Sequence, residues 1–90
     1  MTDQPAIADE ILRQTAACAP GGSISPNDVA RALAPGEDEW RRLLGQVRAA
    51  AIRLAREGRI EVLRKGKPVD PEAEIRGVIR LRAAPARDGE

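Results

Sequence analysis

Two clusters of positively charged side chains are the residues of this sequence that could do chemistry. The first lies in a stretch without acidic residues and consists of Arg41, Arg42, Arg48, Arg53 and Arg56. The second is the segment Arg64-Lys65-Gly66-Lys67, which places three positive charges around a glycine. Guanidinium and ammonium groups neutralise phosphates, so both clusters predict contact with a nucleic-acid backbone.

The composition excludes most catalytic and metal-binding sites. The chain of 90 residues has no histidine and a single cysteine, Cys18, which excludes intrachain disulfides, thiolate clusters and triads that need an imidazole. The acids at positions 9–10, 37–39, 72 and 74 have no histidine to act with and are typical of a solvated surface. One tryptophan, without phenylalanine or tyrosine, cannot form a stacking platform for single strands. We therefore predict a protein that is not an enzyme and uses no metal and no cofactor.

One long helix is needed to position the first cluster. Apolar residues recur at steps of three and four, the period of a helix with one apolar face. They are Trp40, Leu43, Leu44, Val47, Ala50, Ala51, Leu54 and Ala55. We expect Trp40 to anchor this face in the core, the acids at 37–39 to favour the helix start, and Gly58 to end the helix. The opposite face carries the arginines, with Gly45, Ala49 and Ile52 between them.

Two shorter helices are predicted before the long one. Apolar residues at helical spacing indicate a helix over about 5–18, which ends at the breaker 19–22. A second helix over about 26–33 is indicated by Ser25 as N-cap, Pro26 at the first helical position and Asp28 three residues after the cap. The intervening segment 23–25 is too short to predict a strand by itself.

The residues after Gly58 change to the period of a β-strand. Alternation predicts strands over 59–62 and 77–82, and Leu63 breaks the first of them. The segment 64–76 is predicted to be one long hairpin loop. Since two strands alone are marginally stable, we expect them to pack on the helices. A single domain over 5–82 follows, with disordered termini at 1–4 and 83–90.

This order of elements resembles the winged helix, an α+β fold with a three-helix helix-turn-helix core and a C-terminal β-hairpin as the wing. In that fold, segment 23–25 would add an edge strand beside the hairpin. More closely, the chain resembles a small bacterial winged-helix family known only as a domain of unknown function. The residues that carry the resemblance are Ser25-Pro26, Asp28-Val29-Ala30-Arg31-Ala32-Leu33, Trp40-Arg41, Val47-Arg48, Leu54-Ala55, Gly58, Lys65-Gly66-Lys67-Pro68-Val69-Asp70-Pro71 and Ile79-Arg80-Leu81-Arg82. The resemblance spans about residues 6–82 and implies the fold but no activity.

The charge is divided along the chain, and this division suggests two functions. Residues 1–39 contain seven acids and two bases, whereas residues 40–82 contain twelve bases and five acids. The basic half favours a module that binds nucleic acid, above all double-stranded DNA, with weak base specificity. The residues expected to contact it are Arg41, Arg42, Arg48, Arg53, Arg56, Arg64, Lys65 and Lys67. The alternative is a protein-interaction or self-association module that packs the stripe Gly45, Ala49 and Ile52 against a partner.

Two further expectations concern orientation and location. In winged helices the N-terminal half of the third helix usually enters the major groove, but here three acids at 37–39 would repel phosphates. Base reading in the usual orientation is therefore disfavoured. The N-terminus does not resemble a signal peptide and no apolar run approaches the ~20 residues of a membrane span, so we expect a cytoplasmic protein without membrane contact.

Overall fold

The computed structural model describes residues 4–18, 22–34, 36–70, 72 and 77–84 and places them in an α+β arrangement. Three helices come first: α1 (Gln4–Ala17), α2 (Pro26–Leu33) and α3 (Glu37–Arg56). A small antiparallel sheet follows, built from β1 (Ile60–Arg64), β2 (Lys67–Pro68) and β3 (Arg80–Ala83) in the order β2-β1-β3. This is the winged-helix order of elements, as predicted, and we refer to the three strands together as the wing.

The ends of α2 and α3 lie where the sequence signals predicted them. At α2, the Asp28 amide donates to Ser25 Oγ (3.3 Å) and the Ser25 amide donates to Asp28 Oδ2 (3.0 Å), which completes a capping box. At the end of α3, Gly58 has a φ of 77°. The amides of Gly58 and Arg59 bond to the carbonyls of Ala55 and Leu54, each at 3.0 Å, in the pattern of a Schellman motif.

The core lies between the helices and one face of the sheet. Its largest fully buried side chains come from α1, α2, α3, β1 and β3 and the residue before β3. They are Ile7, Ile11, Val29, Val47, Val62, Ile79 and Leu81. Cys18 and Trp40 are half-buried and pack against this cluster. Burial of a Val, Leu or Ile side chain contributes about 1.5–3 kcal/mol, so the packing of α3 on β1 and of α1 on β3 holds the sheet to the helices.

The predicted edge strand exists as a single bridge. Ile24 pairs with Leu81, and the two residues exchange backbone hydrogen bonds of 2.9 and 2.7 Å. Leu81 also pairs with Val62 on its other side, so β3 is central to the β1–β3–Ile24 arrangement. This bridge ties the connection between α1 and α2 to the wing.

The prediction of a single long loop over 64–76 is wrong for its first part. β1 continues to Arg64, the chain reverses at Lys65 and Gly66, and β2 returns to pair Arg64 with Lys67 and Leu63 with Pro68. Lys65 and Gly66 have φ values of 54° and 80°, the positive values that a two-residue type I′ turn requires. The turn is not evident from the sequence because lysine, unlike asparagine or glycine, does not favour a positive φ.

Other element bounds differ from the prediction by smaller amounts. The last strand begins at Arg80 rather than at Gly77, whose φ is 79°. Gln4 belongs to α1 and Ala83 to β3, so each element extends one residue past the predicted domain bounds. The remaining residues of both predicted disordered termini, except Ala84, lie outside the described residues, as do 71 and 73–76. Within the described part of the chain, no helix has both the length and the apolar character needed to cross a bilayer.

The capping box makes a testable contribution to stability. We expect Ser25→Ala to lower the free energy of unfolding by about 1 kcal/mol, because the Asp28 amide loses its side-chain acceptor. Urea denaturation followed by circular dichroism measures this change. Asn27→Ala, an exposed substitution in the same turn, is the control and should change stability by less than about 0.5 kcal/mol. Equal effects of the two substitutions would show that the box contributes nothing.

Candidate nucleic-acid interface

The exposed face of α3 carries the first cluster of arginines. At 100° per residue, the line Arg41, Gly45, Arg48, Ile52 and Arg56 lies opposite the buried residues of the helix. Arg42, Ala49 and Arg53 flank this line on one side. All eight residues are exposed except Arg48 and Ile52, which are half-buried. A Cβ built on Gly45 would meet nothing within 4 Å, so the space above that part of the helix is open.

Arg48 is half-buried because it binds the wing. Its Nη1 donates a 3.0 Å hydrogen bond to the carbonyl oxygen of Gly77, just before β3. A Cβ placed on Gly77 would lie 3.6 Å from both Nε and Nη2 of Arg64, so the side chain of Arg64 reaches the same point from β1. Arg48 from the first cluster and Arg64 from the second therefore both approach Gly77. The helix and the wing thus form adjoining parts of one surface.

A second contact links α3 to the connection between β2 and β3. Arg56 Nε lies 3.3 Å from Glu72 Oε1, and both side chains are more than half exposed. Arg48 and Arg56 are two turns apart on α3, so Gly77 and Glu72 both lie along its C-terminal half. Arg48 and Arg56, which the sequence assigned to nucleic acid, thus both contact residues of the segment between β2 and β3.

The other positive side chains point into solvent. Arg42 and Arg53 are exposed and form no ion pair with another residue in the described ranges. The same is true of Lys65 and Lys67, which the type I′ turn places at the end of the wing. Arg41 lies 3.9 Å from Glu37, but both groups are largely exposed and such a pair is weak in water. These side chains can bind an anion without first breaking a strong internal contact.

Arg31 belongs to the same positive surface and was missed by the sequence analysis. Its guanidinium carbon lies 4.6 Å from the centre of the Trp40 ring, and that of Arg41 lies 5.5 Å away. These are cation–π distances, and they extend the arginine surface from α3 to α2. Trp40 therefore packs on the core, as predicted, and also holds two arginines in place. No sequence signal connects Arg31 with Trp40, because their contact depends on how α2 packs against α3.

The first turn of α3 has the opposite charge. Glu37, Asp38 and Glu39 are all exposed there, where they favour the positive end of the helix dipole. They repel phosphates from the N-terminal end of α3. The positive potential is therefore displaced toward the middle of α3 and the wing.

The exposed arginines and lysines of the described residues are groups that bind anions. Among the described residues, no three cysteine, aspartate or glutamate side chains converge as a metal site would require. Their buried side-chain nitrogen and oxygen atoms all have hydrogen-bond partners. The chemistry that this surface can perform is the electrostatic binding of anions.

Comparison with known sequences places the chain in a family. The model of one family, described as Protein of unknown function (DUF3253), matches residues 4–84, while no protein of curated function is similar. The match includes all three helices and the whole wing. Because it spans about nine-tenths of the chain, the protein belongs to the DUF3253 family, in agreement with the predicted resemblance to a domain of unknown function.

Proposed function

We propose that this domain binds nucleic acid, with double-stranded DNA as the favoured target, through α3 and the wing. The observation that supports this most directly is the meeting of Arg48 and Arg64 at Gly77. It brings a helix and a hairpin with positive side chains side by side, so that both can follow one sugar–phosphate backbone. Contacts of this kind position a protein on a duplex without reading its sequence.

The backbone at the wing turn also supports the proposal. Lys65 has a φ of 54°, a conformation that costs an L-residue about 1–2 kcal/mol and that asparagine or glycine would adopt more easily. Residues other than glycine with a positive φ cluster at functional sites, where the identity of the side chain matters more than its backbone preference. At this position the requirement is a positive charge held at the end of the wing, next to Gly66.

The distribution of charge determines the binding mode. The acids at the start of α3 oppose insertion of that end into the major groove, whereas the space above Gly45 is open and Arg42 and Arg53 are exposed on either side of it along the helix. A duplex can therefore approach the middle of α3 closely while Lys65 and Lys67 contact its backbone from the wing. Binding of this type is electrostatic, weakly specific for sequence and strongly dependent on salt.

The first test removes two of the solvent-exposed arginines. We expect Arg42→Gln with Arg53→Gln to weaken binding to a labelled random duplex about tenfold at about 50 mM salt. The slope of log K against log salt should become less negative by about two, because each lost phosphate contact removes roughly −0.9 from it. Fluorescence anisotropy at several salt concentrations measures both quantities.

The matched control also removes two positive charges, but from other surfaces. Arg13→Gln with Arg82→Gln changes residues on α1 and β3 that pair with Glu10 and Glu61. This variant should keep most of the affinity and of the salt slope. If both double variants lose affinity equally, net charge alone determines binding and α3 is not the binding face. Absence of duplex binding by the unmodified protein, even at low salt, would refute the proposed function.

A second test concerns the competition between Glu72 and phosphate for Arg56. Glu72→Gln should strengthen duplex binding about two- to threefold at low salt, since an exposed ion pair contributes at most about 1 kcal/mol. Glu57→Gln is the control, because Glu57 pairs with Arg59 at 3.7 Å and its replacement changes the net charge equally. Equal gains from the two variants would mean that Arg56 does not contact the duplex.

Self-association is the second candidate function, and the open space above Gly45 favours it. A helix of another copy could approach α3 there and pack on Ala49 and Ile52. This candidate predicts a mass that rises with protein concentration in the absence of nucleic acid, measured by sedimentation equilibrium. Gly45→Leu should abolish the increase by blocking close approach. A monomer at high concentration would contradict it.

A further inference from the structure

The face of the sheet that points away from the core also contains a buried apolar side chain, Leu63. Leu63 is 6% exposed, yet it does not belong to the main hydrophobic cluster. It pairs across the sheet with Arg80, on the face where Arg82 pairs with Glu61. Leu63 is therefore the residue that breaks the alternation of β1, and it is buried on the side opposite the helices.

Leu63 lies in a cavity of about 340 Å³ on this outer face. We call it the outer-face cavity, and the described residues that line it are Ser23, Leu63, Lys65, Gly66, Val78 and Arg80. Val78 is 85% exposed and is the one large hydrophobic residue in the described ranges with such exposure. The volume lies within the range of pockets that hold small molecules, and Leu63 and Val78 supply an apolar surface for one.

The polar groups of the cavity are cationic and held in position. Arg80 donates from Nε to Ser23 Oγ (2.7 Å) and from Nη2 to the Ser23 carbonyl (2.9 Å). A guanidinium has five N–H groups, so these two bonds fix its plane and leave other donors for a ligand. Lys65 contributes a second positive charge from the wing turn, and none of the described residues that line the cavity is acidic.

We propose that the outer-face cavity binds a small organic anion with a carboxylate and an apolar body. The carboxylate pairs with Arg80 and Lys65, whose guanidinium and ammonium groups are matched to it in charge and hydrogen-bonding capacity. The apolar body packs mainly against Val78, which is largely exposed, and touches the small accessible part of Leu63, so that it covers surface that water contacts otherwise. Of the residues named here, Lys65 is also a proposed phosphate contact, whereas Arg80, Leu63 and Val78 are not. A carboxylate site built on Arg80 can therefore exist whether or not the domain binds nucleic acid.

Benzoate is the probe for this site, and two simpler molecules separate its parts. Benzyl alcohol has the ring without the charge, and acetate has the charge without the ring. In titrations of the ¹⁵N-labelled protein followed by amide chemical shifts, benzoate should shift Leu63, Gly66, Val78 and Arg80. Its affinity should exceed that of either comparison molecule at least about fivefold, since benzoate forms both the charge-assisted hydrogen bonds and the apolar contact, whereas each comparison molecule forms one of the two.

Substitutions test whether the named residues contribute to benzoate binding. Arg80→Gln, Lys65→Gln and Val78→Ser should each weaken benzoate binding about fivefold or more. Lys65→Gln leaves the Arg80–Ser23 bonds intact and remains informative if Arg80→Gln perturbs the fold. Arg59→Gln is the control, because it removes one positive charge before the start of β1 and should leave the affinity unchanged.

Several results would overturn the proposal. If benzyl alcohol binds as tightly as benzoate, the cations do not contribute to binding. If acetate binds as tightly as benzoate, the apolar surface does not contribute to binding. Equal weakening by Arg59→Gln and Arg80→Gln would indicate attraction to the protein's charge as a whole. Shifts spread over the arginines of α3, or no shifts at millimolar benzoate, would equally refute a site in this cavity. None of these measurements involves nucleic acid, so they are independent of the duplex-binding tests.

Discussion

The hydrogen bond from Arg48 to the carbonyl of Gly77 is the contact on which the proposed binding surface depends. It joins α3 to the segment that leads into β3, across 29 residues of sequence. Gly77 has a φ of 79°, which costs an L-residue about 1–2 kcal/mol, and any side chain there would extend toward the guanidinium of Arg64. A glycine at 77 therefore lets the carbonyl face Arg48 while Arg64 packs beside it. Without this arrangement the arginines of the helix and the cations of the wing would form two separate patches.

Local chemistry was sufficient to predict the helices, because their signals lie within one or two turns. The Ser25–Asp28 box and the left-handed Gly58 fix where α2 begins and where α3 ends. The wing turn was not predictable in this way. Its type I′ geometry is imposed on Lys65 by the pairing of β2 with β1, against the preference of lysine for negative φ. Tertiary pairing outweighed local propensity at that position, so the interpretation of 64–76 as one loop was wrong.

The candidate surface could be predicted in its composition but not in its contacts. Helical spacing correctly placed the arginines of α3 on its exposed face. It could not show that Arg48 and Arg56 contact Gly77 and Glu72, since those residues approach α3 only after the sheet has formed. The position of Arg31 over Trp40 likewise depends on the packing of α2 against α3. The number of charges follows from sequence, whereas the subset open to a ligand follows from tertiary structure.

Lys65 belongs to both proposed sites, and this has a thermodynamic consequence. It is one of the cations at the end of the wing and it also lines the outer-face cavity. A carboxylate that pairs with Lys65 reduces the positive charge available to a phosphate, so each ligand weakens the binding of the other by the same factor. The exposed position of Lys65 limits that factor to the few-fold effect of a single screened charge. Arg42 and Arg53, on α3, lie outside the cavity, so bound anion would lower duplex affinity without abolishing it.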